Sequence, residues 1–308
     1  MRFNSDQIQK IGKEISSKVD GKTLFDEFSR GRYSTDASVY QIKPLGVVLP
    51  KDTNDVLSLM EYSQKNSVPL LARGGGSSQC GQTVGESVVL DYSKHQNKIL
   101  ELNVEEKYVW VQPGVVLDHL NAYLKPHGLW FPVDVSTSSR ATIGGMSANN
   151  SCGSRSLYYG NMVHNVLAIE AILDDGSIFN FDQINKNYLA TKNNQDRLYK
   201  IIDKFIDVRQ QVGGEIDANW PTTQRRVGGY NIDLIDPEGF NSSNLLVGSE
   251  GTLSLFNKIK LKLSEIPKNK ILGVCYFDNF HQAMELSKEI VKLKPTCVEL
   301  MDQNLLNL

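Results

Sequence analysis

Long apolar runs are missing from this chain. No stretch approaches the roughly 18 consecutive apolar residues of a membrane-spanning helix. Residues 1–15 alternate polar and apolar side chains and lack the apolar core of a signal peptide. Cysteine is scarce and scattered. Cys80, Cys152, Cys275 and Cys297 form no Cys-x-x-Cys pair, which argues against zinc or iron–sulfur ligation within this stretch and fits a reducing compartment. The histidines (His95, His119, His127, His164, His281) show no metal-ligand spacing, so no metal is expected. Charge of one sign is absent too: 33 Lys and Arg against 35 Asp and Glu leave a formal charge of −2, which gives no reason to expect a nucleic-acid or membrane-surface partner.

What the chain does have is glycine beside small hydroxyl residues, in clusters. The first reads Leu70-Leu-Ala-Arg-Gly-Gly-Gly-Ser-Ser-Gln-Cys-Gly-Gln82 and follows a short apolar run expected to be a buried strand. Glycine lets backbone approach a ligand with no Cβ in the way, and successive N–H groups in such a loop converge on an anion. A tight surface turn would use the same residues. The usual phosphate loops do not fit. No lysine follows Gly81, as a P-loop requires. Counted from Gly74, the third glycine slot of a dinucleotide fingerprint holds Gln79. A second cluster packs Ser136, Thr137, Ser138, Ser139 and Thr142 ahead of Gly144-Gly145, where a short helix is expected to open onto a second anion- and amide-binding surface. A third, Leu246-Val-Gly-Ser-Glu-Gly-Thr-Leu253, repeats the theme. Three clusters on a βα-rich scaffold suggest a large phosphate-bearing ligand lying across two subdomains.

The length suggests about two domains. Residues 8–19 read as an amphipathic helix and residues 46–49 as a strand. Asp52 or Thr53 then caps a helix with Val56, Leu59, Met60 and Ser63 on one face. With the strand at 69–72 the opening is β-α-β, and the first glycine loop lies at the carboxyl end of its second strand. Residues 87–91, 99–104 and 108–112 read as strands. Val116, Leu117, Leu120 and Leu124 form a buried helical stripe ended by Pro126. A hairpin turns at Asp174-Asp175-Gly176, and Leu198, Ile201, Ile202, Phe205 and Val212 mark another helix. The tail reads strand 271–277, helix 280–293, strand 296–301.

Arg73-Gly-Gly-Gly-Ser-Ser with Gly81-Gln82, Ala141-Thr-Ile-Gly-Gly145 and Val247-Gly-Ser-Glu-Gly-Thr252 resemble the signature segments of FAD-linked oxidases of the vanillyl-alcohol oxidase type. Gly31-Arg-Tyr-Ser-Thr-Asp-Ala-Ser-Val-Tyr40, Ser136-Thr-Ser-Ser-Arg-Ala-Thr142 and Asn149-Asn-Ser-Cys-Gly153 narrow the resemblance to the D-lactate and D-2-hydroxyglutarate dehydrogenase branch. Within it they point to the large bacterial proteins that join this flavin unit to an iron–sulfur region. The resemblance implies an α+β chain: an N-terminal helical segment (1–27), then a two-subdomain FAD-binding fold at 28–267 (about 28–112 and 113–267). At 268–308 it implies the first β-α-β part of an antiparallel-sheet cap domain, truncated. The chain is then expected to be an N-terminal fragment, inactive alone. The implied location is the cytoplasm, or the periphery of the inner membrane.

The resemblance also implies roles. Gly74, Gly75, Gly76, Ser77, Ser78, Gly81 and Gln82 would cradle the FAD pyrophosphate with backbone amides, and Arg73 counts among the cofactor-binding residues. Pro132, Asp134, Ser136, Thr137, Ser138, Ala141, Thr142, Gly144 and Gly145 would line the flavin, with Asn149, Gly153, Tyr159 and Gly160 close by; Glu250 and Gly251 would close the adenine side. Asn149, Asn150 and Ser151 would equally serve as helix or turn caps. Relatives that attach FAD through histidine place it where this chain has Ser77, so the FAD should be non-covalent. The implied reaction oxidises a D-2-hydroxy acid to the 2-oxo acid, with hydride passing to flavin N5 and electrons leaving to an iron–sulfur region of a longer protein, a quinone or an electron-transfer protein. The substrate carboxylate needs a cation. Arg225 and Arg226, before Gly228-Gly-Tyr230-Asn231, are the candidates, while Gln224 stands in a slot that is often arginine in relatives. No catalytic base is assignable. An FAD-binding fragment or subunit without activity of its own, or another flavin oxidase or reductase of the same fold, would share these motifs.

Overall fold

The computed structural model describes residues 3–190, 196–223 and 225–308. Two sheets organise them. The first runs β1 (Lys22–Leu24), β2 (Gly46–Leu49), β4 (Val88–Asp91), β3 (Leu70–Arg73) in spatial order, with β1 antiparallel to β2 and the other three parallel. β2 and β4 read Gly-Val-Val-Leu and Val-Val-Leu-Asp and are buried throughout, as parallel strands covered on both faces must be. The connection from β2 to β3 is the helix Thr53–Asn66, whose first-turn N–H groups are capped by Asp52. It buries Val56, Leu59 and Tyr62. From the sequence Met60 and Ser63 stood on that stripe; both are only half-buried, because the face turns toward the helix Ser5–Ser16, where Tyr62 donates to Glu14 at 2.7 Å.

The second sheet is antiparallel throughout. β5 (Ile99–Asn103), β6 (Tyr108–Val111), β8 (Val166–Ile172), β9 (Ile178–Phe181) and β12 (Leu255–Lys262) assemble in the order β5-β6-β12-β8-β9. β7 (Leu129–Trp130) pairs with β13 (Ser264–Glu265), and β10 (Gln183–Asn185) with β11 (Gly239–Asn241). β5 and β6, counted with the first part from the sequence, join this second sheet because β6 pairs with the central β12, Val111 facing Ile259. Val109, Val111, Ile169, Ile259 and Leu261 form one cluster with Leu120 and Leu124 of the helix Leu117–Leu124, Ile143 of the helix Ile143–Asn149 and Ile202 of the helix Arg197–Asn219. Pro126 lies in the 3₁₀ turn Lys125–His127 that ends the first of these.

The tail departs from expectation. The helix Phe280–Lys292 forms, but residues 271–277 and 296–301 pair with no strand among the described residues. Ile271 is 98% exposed, and the helix buries only Ala283. A strand is stable through its neighbours, and these two runs have none here. Among the described residues no helix is long and apolar enough to cross a membrane.

The two sheets meet in two places. Ile172 and Leu255 of the second sheet enter the core of the first, and Thr53 donates to Asn257 at 2.7 Å. The glycine loop after β3 lies against the segment that enters the helix Ile143–Asn149. A Cβ on Gly74 would sit 2.0 Å from Thr142 Oγ1, and one on Gly75 would sit 2.3 Å from the Arg140 carbonyl oxygen. The positive φ angles of the first loop belong to Gly76 (+62°) and Gly81 (+80°). Gly75 is therefore required for close approach of two backbones rather than for an unusual φ. Gly75→Val is expected to push the loops apart and cost about 1–3 kcal/mol of stability. Urea unfolding of the variant checks this, and a midpoint equal to the parent's would remove the contact from the account.

Candidate functional site

Between the two sheets lies a cavity of about 790 Å³. Its walls come from all three glycine clusters: Arg73, Gly74, Gly75, Gly76, Ser77, Ser78 and Gln82 from the first; Asp134, Ser136, Thr137, Ala141, Thr142, Gly144 and Gly145 from the second; Glu250 and Gly251 from the third. Asn149 and Gly153 line it as well. Its size falls in the upper part of the ~300–1,000 Å³ range typical of ligand sites.

The clusters do different work. Among the described residues the N–H groups of Gly74, Gly75, Gly76, Ser77 and Ser78 have no acceptor within the chain, so the first loop presents free donors. The second cluster does not. Gly144 N–H donates to the Pro113 carbonyl at 2.7 Å, Gly145 N–H to Thr142 Oγ1 at 3.3 Å and Met146 N–H to the Thr142 carbonyl at 2.8 Å. The amide-binding surface expected there is taken up internally, because Thr142 caps its own helix. Gly144 is needed for packing, since its Cβ would meet Pro113 Cβ at 2.5 Å. Gly145 is the contrast: a Cβ there meets only Thr142 Oγ1, at 3.2 Å. The third loop is tied to the second by Gly248 N–H to the Ser147 carbonyl, Glu250 N–H to the Ala148 carbonyl and Asn149 Nδ2 to Glu250 Oε1 at 2.8 Å. Tyr230 OH lies 2.8 Å from Thr252 Oγ1 and steadies the same loop.

Five expected cofactor residues lie off the cavity wall. Gly81 turns against the Tyr40 ring, where a Cβ would approach to 2.4 Å. Ser138 gives its carbonyl to Asp118 N–H, and Pro132 is buried before Val133. Tyr159 packs edge-on against Trp130, centroids 5.6 Å apart, and Gly160 (φ +76°) lies under His164. Asn231 is 4% exposed, its Nδ2 donating to the Val247 carbonyl at 2.7 Å, so it pins backbone. The two arginines separate. Arg225 lines the cavity, with Nη2 3.4 Å from Cys152 Sγ. Its pKa is raised above the ordinary arginine value, first by the Cys152 contact and then by the Glu299 and Asp134 carboxylates. Arg226 is paired with Asp233 and stacks 5.2 Å over the Trp220 ring, away from the cavity. Gln224 lies outside the described residues.

Residues outside the expected set also line the cavity: Tyr92, Cys152, Ser254, Phe256 and Glu299. The hydroxyls of Tyr92 and Ser254 are buried without a partner among the described residues. Cys152 lies within Asn149-Asn-Ser-Cys-Gly153; Tyr92 follows β4 with no local signal of its own.

Residues 44–182 match the FAD binding domain family. The chain is 34% identical over 288 residues to D-2-hydroxyglutarate dehydrogenase of Haemophilus influenzae, covering 89% of this chain and 28% of that protein. It is also 34% identical over 298 residues to D-2-hydroxyglutarate dehydrogenase of Escherichia coli, covering 94% and 29% respectively. The chain thus spans less than a third of the length of these relatives. A solved structure of alkyldihydroxyacetonephosphate synthase superposes with a TM-score of 0.64 at 18% identity, covering 96% of this chain and 47% of that one. That likeness is one of fold, the α+β flavin-binding fold of the vanillyl-alcohol oxidase type. Residues 44–182 thus carry an FAD binding domain, and over most of its length the chain is similar to D-2-hydroxyglutarate dehydrogenases.

Proposed function

We propose that the chain is the flavin-binding part of a longer dehydrogenase that oxidises a D-2-hydroxy acid to its 2-oxo acid, and that it holds FAD without a covalent bond. One observation carries the reading. The free N–H groups of Gly74–Ser78 and the cation of Arg225 line a single cavity between the two sheets. The residues fit FAD: a run of unengaged amides suits its pyrophosphate, and the buried, partnerless hydroxyls of Tyr92 and Ser254 suit its polar edges. Room beside Gly145 admits the cofactor where a side chain would exclude it. Bound FAD supplies the acceptor for the substrate's C2 hydride.

The remaining tasks fall to the protein. Arg225, permanently charged, offers its planar fork to the substrate carboxylate and fixes the acid's orientation. Asp134 accepts from Ser154 Oγ and Arg155 N–H, both at 3.1 Å, and so holds the loop that carries Cys152 beside Arg225. Arg226 is engaged with Asp233 and serves the fold. The exposure of residues 271–308 supports a division in which these 308 residues hold FAD while turnover needs further protein. Electrons then pass to an iron–sulfur region, quinone or electron-transfer protein.

Acid precipitation of the purified chain is expected to leave intact FAD in the supernatant. Flavin in the pellet would mean a covalent link, and FMN would leave the third loop without a ligand. Gly145→Val should fold with the parent's unfolding midpoint yet retain no FAD; full occupancy in that variant would move the cofactor elsewhere. In the longer protein, Arg225→Met should lower kcat/KM for a D-2-hydroxy acid by about 10- to 100-fold, the loss of one charged hydrogen bond. Arg226→Met should lower stability and leave kcat/KM near the parent value. The reverse pattern in steady-state kinetics would assign the substrate carboxylate to Arg226.

A further inference from the structure

We propose that Arg73 is a positioning residue of the glycine loop, clamped to the distant segment 33–38, and not a ligand of the cofactor phosphates. The proposal rests on the FAD reading above and goes beyond it, since the resemblance counts Arg73 only among cofactor-binding residues.

Arg73 ends β3 and lines the cavity, yet its guanidinium points its donors at backbone carbonyls. Nη2 donates to the Thr35 carbonyl at 2.7 Å. Nη1 donates to the carbonyls of Tyr33 at 3.3 Å and Thr83 at 3.2 Å. Three of its five N–H donors are thereby engaged, and the group lies 5.3 Å from the centre of the Tyr33 ring. The contacts span the loop, because Arg73 is its first residue and Thr83 lies at its far end. The same segment grips the loop independently: Ala37 N–H donates to the Gly76 carbonyl at 3.1 Å, and Thr83 Oγ1 donates to Asp36 Oδ2 at 2.8 Å. Tyr33 in turn donates to Asp91 Oδ2 at 2.6 Å, at the end of the neighbouring strand β4. Gly76 bends at φ +62°, and a Cβ there would lie 2.5 Å from Arg73 Nη2. The loop curls around the guanidinium.

Charge supports the assignment. Burial pushes the Asp36 carboxyl up, but hydrogen bonds from Ser38 and Thr83 and the Arg73 charge outweigh it and hold the group below the usual carboxylate range. Asp36 is therefore ionised beside Arg73; burial lowers the Arg73 pKa, and the Asp36 and Asp91 charges work against that loss and favour the cation where it stands. Residues 74–83 form neither helix nor strand. Without the clamp this loop would sample many conformations, and FAD would have to select the competent one at the cost of affinity. With the clamp, both ends are held and the N–H groups between them stay free.

The test is FAD titration of the apo chain and of Arg73→Met, Arg73→Lys, Asp36→Asn, Thr83→Val and the Asp36→Asn/Arg73→Met double variant, over a range of KCl concentrations, with amide exchange at residues 74–78 read in each apo protein. A positioning role predicts that Asp36→Asn and Arg73→Met each weaken FAD by about 10-fold, that the double variant is no worse than the singles, and that Arg73→Lys falls between Arg73→Met and the parent. It also predicts an unchanged salt dependence in Arg73→Met and faster exchange at 74–78 in both. A flattened salt dependence in Arg73→Met, with Asp36→Asn binding like the parent, would make Arg73 a direct phosphate contact. Should Arg73→Met not fold, Arg73→Lys and Thr83→Val each loosen the clamp locally and carry the same comparison. A parent chain that takes up no FAD would remove the FAD reading, while the exchange data would still judge the clamp: unchanged exchange overturns it.

Discussion

The structure depends on the approach of two glycine-bearing backbones, the loop after β3 and the entry to the helix Ile143–Asn149. A Cβ on Gly74 or Gly75 would fall 2.0 and 2.3 Å from Thr142 Oγ1 and the Arg140 carbonyl oxygen, distances that only glycine permits. Because one segment follows β3 of the first sheet and the other enters a helix packed on the second, their contact helps set how far apart the two sheets stand. The cavity is the space left beside that contact, closed by the third loop, which hangs from Ser147 and Ala148. Interiors transmit such displacements because they are close-packed. A change at this seam therefore reaches the site even where it touches no ligand.

The three glycine clusters look alike as strings but do unlike things. In the first, five consecutive N–H groups have no acceptor among the described residues, while flanking contacts hold the loop's ends. In the second, the helix's first-turn donors are taken up within the chain, and Gly144 serves packing while Gly145 leaves room beside it. In the third, N–H groups of Gly248 and Glu250 bond the second cluster. One cluster offers hydrogen bonds; the other two build the walls.

This division marks what could be read from the chain. The β-α-β opening, the stripe at Leu117, Leu120 and Leu124 and the hairpin at Asp174-Asp175-Gly176 were legible because period and turn chemistry are local. So was a loop after β3, which lines the cavity, since three glycines before two serines do not continue a strand. The place of β5 and β6 was not legible, because it depends on β12 lying more than 140 residues later. Nor was the inward turn of Tyr62, set by Glu14 on another helix. Arg225 and Arg226 are adjacent and chemically identical in the sequence; Asp233 and Trp220 on one side and Cys152 on the other separate them. Tyr92 and Ser254 carry no motif, and only a partnerless hydroxyl at the end of folding marks them. The strands expected at 271–277 and 296–301 show the limit from the other side: pattern proposes a strand, and pairing alone makes one.

In the function proposed above, all three loops face one dinucleotide. Hydrogen–deuterium exchange of the chain with and without FAD tests it most directly. The claim predicts that FAD slows exchange at residues 74–82, 134–153 and 248–256 together, saturating at one equivalent, and leaves the polar pocket around Glu14, Lys18 and Tyr62 unchanged. Protection confined to one loop, or appearing at that second pocket, would contradict it.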